Sequence, residues 1–433
     1  MYNFDDLPTT PWGNRVEFSK ERPVAWRPNQ IVALTKEARQ ATEAYLASRE
    51  LNPRSTPIFA EVGDGEATLI DTKRDFDVDQ VSSDLLLEGH AVQPNFVYFA
   101  HCASGCGCDL GLGANPFTGN PFTGNRYAGN PMVPNPFTGN PTAPQRSSAS
   151  PAEEPPPFAG RVSSGDARAI VLDTGLADAG FWPQVLDSNV IPFGAKPHDA
   201  PDAKQDGFLD PVAGHGTFIA GVIDHRAPEH EIHVARVLSA FGDGDAATIA
   251  RRMAELRRQR LIDENTVVNL SFGAYGDPRM ALVASAVAQL QRDGAVVVAS
   301  AGNDGTCMPS YPAAFPQVVS VGSIEPSGPA PYTNFGNWVV ACAPGTNVVS
   351  SFFNNFNGAE PASRGADPDE FNGFADWTGT SFAAPIVAAA IMRRMSDKGL
   401  DAKSAASDLL ADQVSLRYPG LGLVVDLDPT IAT

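Results

Sequence analysis

Residues 379–385 read Gly-Thr-Ser-Phe-Ala-Ala-Pro, and the chain continues through residues 386–392 as Ile-Val-Ala-Ala-Ala-Ile-Met. This pattern predicts a helix that is apolar almost all round, and such a helix is buried inside a protein. A proline is tolerated in the first turn because the early amide groups have no helical partner. Ser381 is therefore expected beside free amide donors and the positive end of a helix dipole, a position suited to a developing oxyanion. Alone, a serine at a helix start is usually only a cap.

Two other segments supply the remaining parts of activated-serine chemistry. Residues 169–175, Ala-Ile-Val-Leu-Asp-Thr-Gly, form an apolar run that ends in a carboxylate and a turn, as a buried parallel strand does. Residues 214–223, Gly-His-Gly-Thr-Phe-Ile-Ala-Gly-Val-Ile, place a histidine between glycines at the start of another small-residue helix. Asp173, His215 and Ser381 together offer an orienting carboxylate, a base and a nucleophile. Their order along the chain distinguishes this version of the triad from the convergent ones.

These motifs resemble those of the subtilisin-like serine protease family, over roughly residues 161–400. The resemblance implies that Asp173 orients His215, that His215 acts as general base and then as general acid, and that Ser381 attacks the scissile carbonyl. Residues 295–305 read Ala-Val-Val-Val-Ala-Ser-Ala-Gly-Asn-Asp-Gly, and the family carries its oxyanion-hole asparagine at this motif. Asn303 is therefore expected to donate its side-chain amide to the tetrahedral intermediate.

The resemblance also implies a substrate cleft. The pocket for the substrate residue before the scissile bond is expected to have two walls, formed by residues 271–273 and 300–302. The side chain of that substrate residue is expected to be apolar. Residues 242–245 are expected to be the edge to which an extended substrate adds as a strand. Asp243 and Asp245 are predicted to attract a basic side chain further upstream, and the alternative is that both only solubilise a loop. The substrate-binding candidates are Ser271, Phe272, Gly273, Ser300, Ala301, Gly302, Gly244 and Asp245.

Other chemistries fit less well. Asp-Thr-Gly is also the signature of aspartic proteases, which need two such carboxylates, but residues 71–73 read Asp-Thr-Lys and are not a second copy. The spacing of His230-Glu231-Ile232-His233 fits no common helical zinc motif, and a solvated loop is expected there. No metal or other cofactor is predicted, and the sequence is silent on structural calcium.

Composition excludes several classes of partner. The chain has 433 residues, a formal charge of −19 and no basic cluster, which argues against nucleic acid and anionic membranes. No apolar run approaches the ~20 residues that span a bilayer. The expected partners are a protein or peptide substrate and the chain's own N-terminal region. The first residues carry no signal-peptide pattern, so a cytoplasmic location is expected, or export by a non-standard route.

Four segments are predicted: an irregular tail over 1–23, an α+β module over 24–100, a linker over 101–160 and a catalytic domain over 161–433. The module reads strand, helix, strand, strand, helix, strand. It resembles the small ferredoxin-like prodomain of many subtilisin-like proteases, and an unrelated α+β binding domain is the alternative. Residues 92–97 resemble the last strand of that prodomain, which in the family leads its tail into the active site.

The linker repeats Asn-Pro-Phe-Thr-Gly at residues 115–119, 120–124 and 135–139. These steps favour consecutive turns, so a flexible linker is predicted, with a short recognition array as the second interpretation. Autocatalytic cleavage is expected between about Phe99 and Pro157.

An odd number of cysteines, five, predicts reduced thiols. Cys102, Cys106 and Cys108 could bind a metal but have no nearby fourth ligand. Cys307 and Cys342 are predicted to be small buried apolar residues, and a disulfide between them would need an oxidising compartment.

Alternating strands and helices predict an α/β fold for the catalytic region, with a mostly parallel subtilisin-like sheet and helices on both faces. Asp173, Ser271 and Asn303 all follow apolar runs, at predicted carboxyl ends of strands, where open α/β sheets bind ligands. The predicted function is a serine endopeptidase that removes its own N-terminal region. The alternatives are a dedicated processing protease for one precursor and a permanently blocked peptide-binding protein.

Overall fold

The computed structural model describes residues 16–18, 24–62, 65–100, 145–146, 167–183, 186, 189–203, 205, 207–228, 230–276, 280–358, 370–412 and 415–425. Nearly all of the predicted N-terminal tail and most of the predicted linker lie outside these described residues. The Asn-Pro-Phe-Thr-Gly repeats and the predicted cluster Cys102, Cys106 and Cys108 lie outside them too.

The predicted strand–helix–strand–strand–helix–strand order of the N-terminal module, residues 24–100, is confirmed. Its sheet is antiparallel in the order β5-β2-β4-β3, with β1 paired to β2. Thr35 and Asp77 cap the two helices, because their side chains accept hydrogen bonds from the amides of the first turn. The elements are β1 (Glu17–Phe18), β2 (Ala25–Ala33), α1 (Lys36–Ser48), β3 (Arg54–Val62), β4 (Gly65–Asp71), α2 (Val78–Leu87) and β5 (Val92–Ala100).

The rest of the described chain alternates strands and helices. Its elements are β6 (Gln145–Arg146), β7 (Arg168–Asp173), β8 (Leu176–Ala177), β9 (Val190–Phe193), β10 (His198–Asp199), α3 (His215–Arg226), β11 (Glu231–Arg236), β12 (Asp243–Asp245), α4 (Ala246–Arg258), β13 (Thr266–Leu270), β14 (Phe272–Tyr275), α5 (Ala281–Arg292), β15 (Val296–Ser300), β16 (Ser310–Tyr311), β17 (Val319–Glu325), β18 (Gly328–Pro329), β19 (Ala341–Pro344), β20 (Val348–Ser351), β21 (Phe356–Asn357), β22 (Glu370–Phe371), β23 (Phe374–Trp377), α6 (Thr380–Lys398), α7 (Ala402–Leu410), β24 (Arg417–Tyr418) and β25 (Gly422–Val424).

The central sheet runs in the order β25-β19-β17-β15-β13-β7-β11-β9, and every pair in this row is parallel. Strands β13 and β15 are buried along their whole length, which explains why both are made mostly of apolar residues, with valine the commonest. Helix α6 packs against α3 and against β13, β15, β17 and β19, and its apolar surface is buried there. The predicted α/β fold with a mostly parallel sheet is confirmed.

Strand β5 joins the N-terminal module to the rest of the chain. Its first half pairs with β2, and its last residues pair with β12 on one edge and β14 on the other. Phe99 is the residue common to both pairings, since it lies opposite Asp243 and opposite Gly273. The end of the module is thus seated as a strand between two edges of the large α/β unit.

Two predictions for residues outside the candidate site are wrong. The segment around His230–His233 is not a solvated loop, because Glu231–Arg236 is strand β11 between β7 and β9, and both histidines are buried. Ile232 and Val234 alternate with polar residues, which is the strand pattern that explains this. Cys307 is exposed, whereas Cys342 is buried as predicted, and burial raises the pKa of its thiol to about 12. Both are free thiols.

Candidate active site

Five of the predicted site residues meet at one edge of the central sheet. Strands β7, β13 and β15 are parallel neighbours, so their carboxyl ends lie side by side. Asp173 is the last residue of β7, Ser271 directly follows β13, and Asn303 lies three residues after the end of β15. His215 is the first residue of α3 and Ser381 the second residue of α6.

Asp173 and His215 are fully buried and in contact. The Oδ1 atom of Asp173 lies 2.7 Å from Nδ1 of His215, and it also accepts a 2.7 Å hydrogen bond from the Thr174 amide. A carboxylate at Nδ1 favours the tautomer with the proton on that nitrogen, which leaves Nε2 as the basic atom. Among the described residues, Nε2 of His215 has no hydrogen-bond partner.

Glycines allow the two segments to approach this closely. A Cβ atom on Gly216 would lie 2.4 Å from the Gly175 carbonyl oxygen, and the Gly216 amide donates to Thr174 Oγ1 at 3.0 Å. Gly214 has φ 81°, and a Cβ atom there would lie 2.3 Å from the Phe352 ring. A side chain at position 216 would push the start of α3 away from the turn that follows Asp173, and one at position 214 would push it against the Phe352 ring.

Aromatic rings surround the imidazole of His215. The centroids of Trp377 and Phe382 each lie 5.3 Å from that of His215, and Phe218 packs on both of those rings. These rings fix the orientation of the imidazole by packing. Their role is not predicted from the sequence, although Trp377 and Phe382 flank the Gly-Thr-Ser motif on both sides.

Ser381 is held by the end of β13. Helix α6 begins at Thr380, so Pro385 lies in the second turn and not in the first as predicted. A proline has no N–H, so the Ser381 carbonyl lacks its helical donor four residues on. The Ser271 hydroxyl donates to that carbonyl at 2.9 Å, and the Ser381 hydroxyl donates to the Ser271 carbonyl at 3.1 Å. This exchange explains how a proline is accommodated so close to Ser381.

The side chain of Asn303 is oriented by Thr380. Its Oδ1 accepts hydrogen bonds from the amide and the hydroxyl of Thr380, both at 2.9 Å. Oδ1 therefore faces Thr380, and Nδ2 is the donor end of the amide. The Thr380 hydroxyl also accepts from the Gly302 amide at 3.1 Å, which ties the loop after β15 to the start of α6.

The predicted cleft walls are buried, and the chain's own β5 lies against the wall of residues 271–273. All six wall residues, 271–273 and 300–302, are buried. Tyr98 lies opposite Gly244, and its ring meets that of Phe272 edge-on with centroids 6.1 Å apart. Ala100 lies opposite Phe272, and its amide donates to the Gly242 carbonyl at 2.8 Å. The edge predicted to bind a substrate strand therefore pairs with the N-terminal module.

A buried network that the sequence does not predict links the two walls. The Tyr275 hydroxyl donates to the carboxylate of Asp304, the residue after Asn303. Asn334 donates to the Tyr275 oxygen at 3.1 Å and accepts from the Asp304 amide at 3.0 Å. Burial raises the pKa of Asp304 to about 6, against the opposing effect of the Tyr275 hydrogen bond.

Asp199, also absent from the sequence predictions, joins the segments that carry Asp173 and His215. It is buried and accepts hydrogen bonds from the Gly214 amide at 2.8 Å and from the Ala200 amide at 3.0 Å. Burial raises the pKa of Asp199 to about 6, although Arg236, these amides and the Thr174 hydroxyl lower it. Apart from the adjacent Ala200, its partners lie 15 or more residues away along the chain, so no local motif marks it.

Asp243 and Asp245 do not form an exposed loop, and that alternative is wrong. Both are buried, because β5 and β2 cover them. Nη2 of Arg27, on β2, lies 2.6 Å from Asp243 Oδ2, and Nε lies 3.5 Å from Asp245 Oδ2. Asp245 also caps α4, because it accepts from the Thr248 amide at 3.0 Å.

No group of three or more His, Cys, Asp or Glu side chains within the described ranges is arranged to hold a metal ion. None of the helices in these ranges combines the length and the apolar character that a membrane crossing requires.

The sequence and the structure were compared with known proteins. The model of the subtilase family (Peptidase S8) matches residues 171–411, more than half of the chain. The chain therefore belongs to the subtilase family. It is 30 % identical over 231 residues to the minor extracellular protease Epr of Bacillus subtilis (strain 168), which covers 49 % of this chain and 32 % of that protein.

It is also 30 % identical over 233 residues to subtilisin Savinase of Lederbergia lenta, which covers 50 % of this chain and 76 % of that protein. A solved structure of a cold adapted subtilisin-like serine proteinase superposes with a TM-score of 0.46 at 22 % identity, over 60 % of this chain and 88 % of that one. The chain spans only about a third of the length of the Epr protease.

Proposed function

We propose that this protein is a serine endopeptidase that hydrolyses peptide bonds with Asp173, His215 and Ser381 as its triad and Asn303 as an oxyanion donor. The observation that carries the proposal is the buried 2.7 Å contact between Asp173 Oδ1 and His215 Nδ1. A carboxylate bound to one imidazole nitrogen makes the other a general base. Membership of the subtilase family supports the same assignment.

In this mechanism the Ser381 hydroxyl leaves its hydrogen bond to the Ser271 carbonyl and turns to His215. Nε2 of His215 takes the hydroxyl proton while Oγ bonds to the scissile carbonyl carbon, and Asp173 stabilises the imidazolium. The oxyanion is bound by Nδ2 of Asn303 and by an amide at the start of α6, where the early amides have no helical partner. His215 then protonates the leaving amine. Water takes the place of the amine, and His215 accepts a proton from it as the water oxygen bonds to the acyl carbon. His215 finally returns this proton to Ser381 Oγ as the carboxylic acid is released.

We also propose that the N-terminal module is a prodomain that blocks the cleft until it is cut off. Its last strand occupies the place between β12 and β14 where an extended substrate would add. Side chains of the same strand reach the start of two helices: Gln93 accepts from the Leu282 amide of α5, and Asn95 from the Ala247 amide of α4, both at 3.0 Å. Amides at these helix positions need such acceptors.

A permanently blocked peptide-binding protein is the second candidate, and one observation favours it. His215 and Ser381 are both fully buried in the uncut chain, so no substrate reaches them in this state. The two candidates differ in the fate of the N-terminal module, because only an active protease frees its own cleft. A broad and a dedicated protease remain alternatives within the first proposal.

The direct test is labelling by a serine-directed fluorophosphonate, followed by peptide mapping. We expect label on Ser381 in the wild-type protein and none in Ser381→Ala. Ser327→Ala is the matched control, because Ser327 is an exposed serine far from the cleft motifs, and it should label like wild type. Absence of label after prolonged incubation of wild type would favour the blocked binding protein, and label on another serine would refute the assignment of Ser381.

A further inference from the structure

A buried ionic cluster lies where the N-terminal module covers the substrate edge. Asp243 and Asp245 are two residues apart on β12, so their side chains lie on one face of the strand. Phe99 and Val97 lie directly opposite them on β5 and share that face. The cation for both carboxylates is Arg27 of β2, which is 4 % exposed.

The strand seated in the cleft does not provide the cation itself. On this face β5 contributes Val97 and Phe99, which pack in an apolar cluster with Ala25 and Phe241, and Asn95, which donates to Asp245 Oδ1 at 3.1 Å. Arg27 reaches the carboxylates from the neighbouring strand. A substrate that replaces β5 brings no such neighbour.

The two carboxylates need a cation whenever the cleft is filled. An ionised carboxylate taken out of water without a partner is strongly destabilising. Burial by itself lowers the pKa of Arg27, and the charges of Asp243 and Asp245 more than offset this, so that the pKa of the guanidinium is raised. The three groups therefore form a mutually dependent set of charges.

Arg27 contacts both carboxylates as ion pairs. Its contact with Asp243 Oδ2 is close but not aligned as a hydrogen bond, and within the described chain its Nη1 atom has no hydrogen-bond partner. Asp243 is held in position independently of it, because the Ser239 hydroxyl donates to Oδ1. Asp243 therefore keeps its position without Arg27, so another cation can take the place of Arg27.

We propose that Asp243 and Asp245 form a subsite for a guanidinium or ammonium group, filled by Arg27 in the uncut chain and by a substrate arginine or lysine afterwards. The proposal rests on the proposed protease function and names its substrate class. A substrate in the register of β5 places its residues equivalent to Val97 and Phe99 on the face of the two carboxylates. A basic residue at either position supplies the missing cation.

The preference for a basic substrate residue at this buried subsite differs in size and in salt dependence from the preference that an exposed charge pair would give. Salt screens buried charges much less than exposed ones. Leaving one partner of a buried charge pair without the other lowers affinity by well over tenfold in protein complexes. We therefore expect a preference for arginine over glutamine of about tenfold or more that persists at moderate salt.

The test uses peptides of residues 92–108 of this chain that carry arginine, lysine or glutamine in place of Phe99 or of Val97. The ratio of kcat/KM for arginine over glutamine is measured for wild type and for Asp243→Asn, which keeps the acceptor for Ser239. We expect a high ratio at one of the positions in wild type and a ratio near one in Asp243→Asn. Asp178→Asn, outside the cleft, is the control and should keep the wild-type ratio. Equal rates for arginine and glutamine at both positions in wild type would overturn the proposal.

A second measurement does not depend on activity. In the uncut Ser381→Ala chain, amide exchange at Tyr98 and Phe99 is compared for the parent, Arg27→Gln, Asp243→Asn and the double variant. We expect each single change to speed exchange and the double variant to exchange no faster than the worse single one, because each change leaves the other charge unpaired. Additive effects would contradict the subsite. If wild type cuts no peptide and takes no fluorophosphonate, the proposed protease function is refuted. The amide-exchange comparison of the single and double variants still decides whether the cation site exists.

Discussion

Asp173 ends strand β7 and Asp243 begins strand β12, and both are buried carboxylates, yet they depend on different parts of the chain. Asp173 is held by His215 and by the Thr174 amide, which belong to the large α/β unit itself. Asp243 faces Arg27, which belongs to the N-terminal module. Loss of that module leaves the partners of Asp173 in place and removes the cation from Asp243. Under the proposed function, the catalytic residues therefore keep their partners when the module leaves, whereas the residues proposed to recognise the substrate exchange theirs.

The largest effect is expected at the proposed catalytic residues, whose partners all belong to the large α/β unit. Ser381→Ala and His215→Ala should each lower kcat/KM for peptide hydrolysis by at least about 10,000-fold, and the double variant little further, because the groups act as a unit. Processed enzyme, prepared by cutting the variants in trans with wild type, is assayed with one peptide. Full activity in Ser381→Ala, or losses that add, would refute the triad.

Asn303→Ala tests the proposed oxyanion donor, which also belongs to the large α/β unit. Removing one such donor from a subtilisin costs about 100- to 1,000-fold in kcat, and a similar loss with little change in KM is expected here. Thr380→Val should cause a smaller loss, because it removes one of the two hydrogen bonds that orient Asn303 and keeps the amide of residue 380. A raised KM with unchanged kcat in Asn303→Ala would instead place Asn303 in ground-state binding.

A smaller effect is expected where β5 contacts the starts of two helices, α4 and α5. Gln93→Ala and Asn95→Ala each remove an acceptor from a buried helical amide, which costs about 1–3 kcal/mol. In the uncut Ser381→Ala chain, β5 amides should exchange about tenfold faster or more in either variant. Gln80→Ala, at an exposed residue of α2, is the control. Unchanged exchange in both variants would show that these contacts do not hold the module.

The last effect concerns pH. The pKa of Asp199 is about 6 in the folded chain, against 3.8 for an ordinary aspartate. Between these values the folded state keeps a proton that the unfolded chain has lost, so the free energy of unfolding should fall as pH rises from about 4 to about 6. Asp304 contributes in the same direction.

Denaturant unfolding of the Ser381→Ala chain across this pH range checks the prediction. Asp199→Asn has no proton to lose at this position and should flatten the slope in part, and Asp199→Asn with Asp304→Asn should flatten it further. A slope that is unchanged in the double variant would show that neither carboxyl titrates in this window.

The central sheet could be predicted because its information is local. The apolar run before Asp173, the glycines around His215 and the small-residue helix after Ser381 are each legible within about ten residues. The prediction that Asp173, Ser271 and Asn303 lie at one edge follows from strands being parallel, and the structure brings them there. The roles of these residues in catalysis stay predictions.

The features that could not be predicted depend on contacts between distant segments. Arg27 is far in sequence from Asp243, and Asp199 from both Thr174 and Gly214, so no motif links them. The local sequence around Asp243 and Asp245 is therefore compatible with a solvent-facing loop, although a neighbouring strand covers both residues. At His230–His233 the polar residues mask a buried strand, because the charged and imidazole side chains lie between the apolar positions that define it.

Self-release of the N-terminal module is decided by the intact mass of the purified protein over time, for wild type beside Ser381→Ala. We expect wild type to separate into two fragments, with a first cut between about Phe99 and Pro157, while Ser381→Ala stays one chain under the same conditions. A trace of wild type added to Ser381→Ala should restore the cut. A single uncut chain in both proteins would contradict self-release of the N-terminal module, and the same fragments in both would show that Ser381 does not make the cut.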